Sequence, residues 1–127
     1  MKYINIDEAI KIHDIIIDKM QGLSGYNKTN IGYLGSALEQ IKNDDFYPEF
    51  IDKLTHLIFS CIKFHPFNDA NKRTSIFLAM HFLDLNGKNV ENFAQYMEDV
   101  VVKVAEDSLT KQDLRKVLKQ FLQKDGQ

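Results

Sequence analysis

Asn71-Lys72-Arg73-Thr74-Ser75-Ile76-Phe77-Leu78-Ala79-Met80-His81-Phe82-Leu83-Asp84-Leu85 is the stretch on which the fold turns. Beyond its first residues it is apolar on nearly every side, and such a helix belongs in the centre of a domain with others packed around it. Asn86-Gly87 stops it, since glycine readily takes the left-handed turn that ends helices. Upstream, Pro66 pushes His65 out of helical geometry. The break separates this segment from a third helix, about Glu49 to Phe64, whose Phe50, Ile51, Leu54, Leu57, Ile58, Cys61 and Ile62 form a broad apolar face.

Outward from there the same spacing recurs. Asn5 followed by Glu8 reads as a helix cap, and Ala9, His13, Ile16, Ile17 and Met20 then repeat on one face. Gly22-Leu23-Ser24-Gly25 stops this first helix, and a loop runs on to Gly32. Leu34, Ala37, Leu38 and Ile41 mark a short second helix ended by Asn43-Asp44-Asp45, and Pro48 suits the first turn of the third. Phe93, Met97, Val100, Val101 and Val104 define a fifth helix. Thr110 with Asp113 opens a sixth that buries Leu114, Val117, Leu118 and Phe121. The expected fold is all-α: one domain over residues 1–127, with about six helices around a buried central helix. Strand-like alternation is confined to fragments, and a small hairpin around Asp44 to Tyr47 stays open as an alternative.

Composition narrows the function classes. The 127 residues suffice for one core and not two. Apolar content of 44% and charged content of 27% exclude a disordered or collagen-like chain. Sixteen Lys and Arg against eighteen Asp and Glu leave a net charge of −2, which gives no general attraction to nucleic acid or an acidic membrane surface. No apolar run approaches the roughly 20 residues of a membrane span, and the amino terminus lacks a secretory-type apolar stretch. The lone cysteine, Cys61, sits in an apolar run and reads as a core thiol in a reducing compartment. A cytoplasmic protein is expected.

Function is written at the entry to the fourth helix: His65-Pro66-Phe67-Asn68-Asp69-Ala70-Asn71-Lys72-Arg73-Thr74-Ser75. The first turn of a helix carries partial positive charge and unpaired backbone N–H groups, so acidic residues are the ordinary choice there. Lys72 and Arg73 stand there instead. Two cations beside a positive dipole are accounted for by a bound anion, with phosphate the best match; the bland reading is a solvated basic turn. Asp69 can cap the helix or, beside phosphates, anchor Mg²⁺, which prefers oxygen ligands. An imidazole titrates near neutrality, so His65 is suited to proton abstraction, although a lone loop histidine is more often structural. Phe67 reads as the apolar peg that pins the loop to the core.

This segment resembles the active-site motif of the Fic/Doc family, in particular the Doc (death-on-curing) toxin branch, whose pattern is His-x-Phe-x-Asp-Ala-Asn-Lys-Arg. Every fixed position is present. Ile12-His13-Asp14, Gly22-Leu23-Ser24-Gly25, Leu34-Gly35-Ser36-Ala37-Leu38 and Phe82-Leu83-Asp84-Leu85-Asn86-Gly87 extend the resemblance over most of the chain. Against the wider Fic pattern, His-Pro-Phe-x-Asp/Glu-Gly-Asn-Gly-Arg-x-x-Arg, Ala70 and Lys72 replace two glycines and Ile76 replaces the last arginine, while Pro66 is shared with Fic.

The resemblance implies a Fic-type helical fold and a toxin of a toxin–antitoxin system. It implies transfer of the γ-phosphate of ATP to a protein hydroxyl, a threonine of elongation factor Tu by family analogy, which blocks translation. His65 then resembles the general base, Asp69 the Mg²⁺ ligand, and Asn71, Lys72 and Arg73 the phosphate clamp. Fic-type adenylyl transfer and a non-catalytic Fic-like binding module are the alternatives. A self-inhibitory Ser/Thr-x-x-x-Glu-Gly/Asn motif is absent, since Glu91-Asn92 has Gly87 four residues earlier. Control is therefore expected from a separate Phd-like antitoxin whose disordered tail folds on binding. His13-Asp14 also suggests an HD-type metal phosphohydrolase, but no histidine precedes His13 to complete that set, and His56 and His81 read as core or edge residues.

Overall fold

The computed structural model describes residues 1–124, which form six α-helices: α1 (Ile6–Met20), α2 (Asn30–Gln40), α3 (Phe50–Lys63), α4 (Asn71–Leu85), α5 (Phe93–Ala105) and α6 (Lys111–Lys124). The expected all-α architecture is the observed one. No hairpin forms near Asp44–Tyr47, where the chain makes turns, and the extended pairing among the described residues is one isolated antiparallel bridge between Tyr26 and Phe67.

Helix starts follow local chemistry. Asn5 caps α1 through its side chain, which accepts from the Glu8 N–H, while Glu8 accepts the Asn5 N–H in return. Glu49 and Asp52 make the same reciprocal pair at α3, so Pro48 lies just ahead of the cap and not in the first turn. Asn27 Oδ1 accepts the N–H groups of Thr29 and Asn30 and so opens α2 two residues earlier than Gly32 suggested. Gln21, not Gly22, takes the left-handed position that ends α1.

α3 is the most deeply buried helix, with ten of its fourteen residues buried. It packs against α2, α4, α5 and α6, while α4 packs against α1, α3 and α5. Leu78, Ala79, Phe82 and Leu83 are wholly enclosed, yet Phe77 stays 41% exposed. The fourth helix is thus central in its neighbours but keeps a strip open, and that strip walls a cavity. Even Lys53 is buried: its ammonium donates to the Ile41 carbonyl at the end of α2 and pairs with Asp44 at 2.8 Å, so the charge is not stranded. No helix among the described residues is long and apolar enough to cross a membrane.

Candidate active site

Two loops meet at the entry to α4. The Asn27 N–H donates to the Pro66 carbonyl at 2.9 Å, the Asn68 N–H to the Gly25 carbonyl at 3.1 Å, and the Asn68 amide to the Ser24 carbonyl at 3.0 Å. Phe67 is the peg the sequence suggested: it is 3% exposed, and its ring stacks on His13 of α1 with centroids 3.9 Å apart. His65 does leave helical geometry, though in a left-handed conformation at φ 46° and not an extended one.

The helix start itself is unusual. Ala70 is the N-cap, in a left-handed conformation at φ 62°, and its methyl group caps nothing. The N–H groups of Asn71, Lys72 and Arg73 have no acceptor among the described residues. The side chains of Lys72 and Arg73 are exposed and make no ion pair or hydrogen bond among the described residues. Unpaired donors, helix dipole and two free cations therefore converge on one place.

The Asp69 carboxylate is held by backbone: Oδ2 accepts the Leu23 N–H at 3.0 Å and Oδ1 the Ala70 N–H at 2.8 Å. These two N–H groups, Leu23 first, hold its pKa below the ordinary carboxylate range. Gly22 makes the arrangement possible, because a Cβ there would lie 2.5 Å from Asp69 Oδ2. The Asn71 side chain has a structural task that the sequence did not suggest. Its Oδ1 accepts the Phe67 N–H and its Nδ2 donates to the Phe67 carbonyl, both at 2.9 Å, so its amide fastens the loop. The same Nδ2 lies 3.4 Å from His65 Nδ1, too long to fix the tautomer of that ring, so either nitrogen can offer a lone pair.

His65, Asp69, Asn71, Lys72 and Arg73 all line one open cavity of about 630 Å³. Its far wall is α5, where Ala94, Val101 and Val102 give an apolar surface and Glu98 adds a second carboxylate. The volume falls in the usual range for small-molecule sites, and a charged end facing an apolar wall suits a nucleotide. Mg²⁺ is ordinarily held by one or two carboxylates with substrate phosphates and waters, so Asp69 fits it beside a bound polyphosphate. No cluster of three or more His, Cys, Asp or Glu side chains able to hold a metal alone forms among the described residues.

Other singled-out residues lie elsewhere. Cys61 is buried under the helix start, its thiol donating to the Asn71 carbonyl and its pKa pushed up by burial, so it is not a nucleophile. His56 is buried between Gln40 and Lys111, and His81 faces Glu8 at the surface end of α4. His13 is not paired with further metal-ligating groups; its Nε2–H donates to the Asp69 carbonyl at 2.9 Å. That link, Gly22 and the α5 wall were not singled out from the sequence as parts of the site. The apolar periodicity that placed His13 on the core face of α1 was the available signal.

The chain belongs to the Fic/DOC family, whose model matches residues 3–83, from just ahead of α1 to within the last turn of α4. The α5 wall lies beyond that match. Protein kinase doc of Escherichia phage P1 is similar to it: 32% identical over 92 residues, which is 71% of this chain and 72% of that protein.

Proposed function

We propose that the protein is a Doc-type phosphotransferase that moves the γ-phosphate of ATP to a protein hydroxyl, with Mg²⁺ as the accompanying ion. The carrying observation is that one cavity brings His65, Asp69 and two unpaired cations to a helix start with three free N–H groups. Phosphoryl transfer needs positioning and charge neutralisation more than covalent help, and that is what these groups supply. In this reading Lys72, Arg73 and the N–H groups of residues 71–73 hold the phosphate oxygens. His65 takes the proton of the incoming hydroxyl; the hydroxyl oxygen bonds to the γ-phosphorus, the bond to the bridging oxygen breaks, and ADP leaves. Asp69 would hold Mg²⁺, which supplies further neutralisation of the phosphate charge.

Relatedness to a protein kinase doc supports phosphoryl over adenylyl transfer, as does Lys72, whose side chain occupies the position of a glycine in the Fic pattern. On the same basis the protein is read as the toxin of a toxin–antitoxin pair in the cytoplasm, blocking translation through a threonine of elongation factor Tu and restrained by a Phd-like antitoxin whose tail folds on it.

The test is incubation with Mg²⁺, elongation factor Tu and ATP labelled at the α or the γ phosphate, with wild type and His65→Ala. Label from γ alone, lost in His65→Ala while its melting temperature is kept, is the expected result. Label from α indicates adenylyl transfer. No label from either, with ATP left unbound, indicates a binding module.

A further inference from the structure

The peptide unit joining Asp69 to Ala70 is held at both ends. Its carbonyl accepts from His13 Nε2 at 2.9 Å, and its N–H donates to the Asp69 carboxylate at 2.8 Å. This peptide leads directly into the left-handed Ala70, the conformation that aims the free N–H groups of α4. An alanine held at φ 62° is strained and persists only where its surroundings over-determine it. His13 is well placed to do so. It is 1% exposed, it sits on α1 and not on the loop, and its ring is clamped face to face on Phe67 at an interplanar angle of 7°.

The direction of the carbonyl is what counts for an anion. Bonded to His13, which is buried and does not line the cavity, the Asp69 oxygen points into the protein. Were that peptide to turn over, a carbonyl oxygen would face the place where Lys72, Arg73 and the N–H groups converge, and its negative end would oppose phosphate. The flip would also release the Ala70 N–H from the Asp69 carboxylate and leave that side chain held by the Leu23 N–H alone.

We infer that His13 is a positioning residue for the anion site: it latches the Asp69–Ala70 peptide so that the start of α4 offers donors, and no acceptor, to the ligand. The inference rests on the proposed function only in naming that ligand as ATP. His13 touches no substrate and acts through the backbone of residues 69 and 70.

Two substitutions separate the latch from packing. His13→Phe keeps the ring and its stack on Phe67 but removes the donor. His13→Gln loses the stack but carries an amide N–H at a similar reach. Two measurements are made on each: the conformation at Ala70 in a crystal structure, and Mg²⁺–ATP affinity by calorimetry. Losing the donor leaves a buried carbonyl unpaired, so His13→Phe is expected to turn the peptide and weaken Mg²⁺–ATP binding about 10- to 100-fold, with His13→Gln recovering most of it. Ala70 unmoved in His13→Phe, or moved with Mg²⁺–ATP affinity unchanged, overturns the latch. If the wild type binds no ATP, the proposed function fails, while the backbone at Ala70 still decides whether His13 holds the peptide.

Discussion

On the proposal that Asp69 holds Mg²⁺, Gly22→Ala should leave the protein folded while weakening its binding of that ion. The added Cβ would sit 2.5 Å from Asp69 Oδ2 and 3.1 Å from Ile17 Cδ1, where ordinary contact begins at 3.4 Å. The isoleucine methyl can yield by a few tenths of an ångström, but the carboxylate oxygen must retreat by roughly 0.9 Å. That retreat breaks its bond to the Leu23 N–H, a small loss at a site open to water. The substitution also reduces the freedom of the unfolded chain, which returns about 0.4–1 kcal/mol, so net stability should change by less than about 1 kcal/mol. Mg²⁺ demands near-ideal ligand placement, and a misplacement of about 1 Å near the chemistry can cost about 10²-fold. Urea unfolding and ATP binding across a Mg²⁺ titration measure the two sides. The expected result is near-native stability with a Mg²⁺ requirement raised about 10- to 100-fold. A native Mg²⁺ dependence in the folded variant would refute the placement of Asp69 as the ion's ligand.

Two further outcomes concern stability. Ala70→Gly removes the left-handed strain and should raise unfolding free energy by about 0.5–1 kcal/mol in urea titration; a loss of that size would mean the methyl group packs productively. His56 has its pKa lowered from 6.5 to about 4, by burial first and then by the Lys111 ammonium. Its folded pKa lies below its unfolded one, so its contribution is complete above pH 6.5 and is lost as pH falls toward 4. Between pH 7 and 5 the wild type should therefore lose about 2 kcal/mol more than His56→Gln; parallel pH profiles would contradict the buried neutral ring.

Much of this was legible because helices announce themselves by period. The apolar repeats of α1, α3, α5 and α6 and the caps at Asn5 and Thr110 fall where the chain forms them. Lys72 and Arg73 stood out for another reason: their charges are wrong for a helix start unless something anionic sits there, and that drew attention to His65 and Asp69 in the loop just ahead of it. What stayed hidden depends on tertiary approach. Nothing local tells that Gly22 lies under Asp69, that His13 reaches a carbonyl 56 residues away, or that Lys53 can be buried because Ile41 and Asp44 receive it. The side-chain role of Asn71 stayed hidden for the same reason: its amide fastens the loop through the Phe67 backbone, a contact no local pattern announces.

These hidden contacts explain a division of labour at the start of α4. Asn71 holds the backbone of Phe67, Leu23 and Ala70 hold the Asp69 carboxylate, and His13 holds the Asp69 carbonyl. Each fixes the loop by a hydrogen bond that a solvated turn would not need. Lys72 and Arg73, by contrast, are fixed by no side-chain partner among the described residues. A basic turn that merely tolerated its charges would gain nothing from holding a strained alanine in place. Rigid backbone donors beside unpaired cations instead match the demand of a polyphosphate, whose oxygens are bound most strongly by groups that need no reorganisation on its arrival.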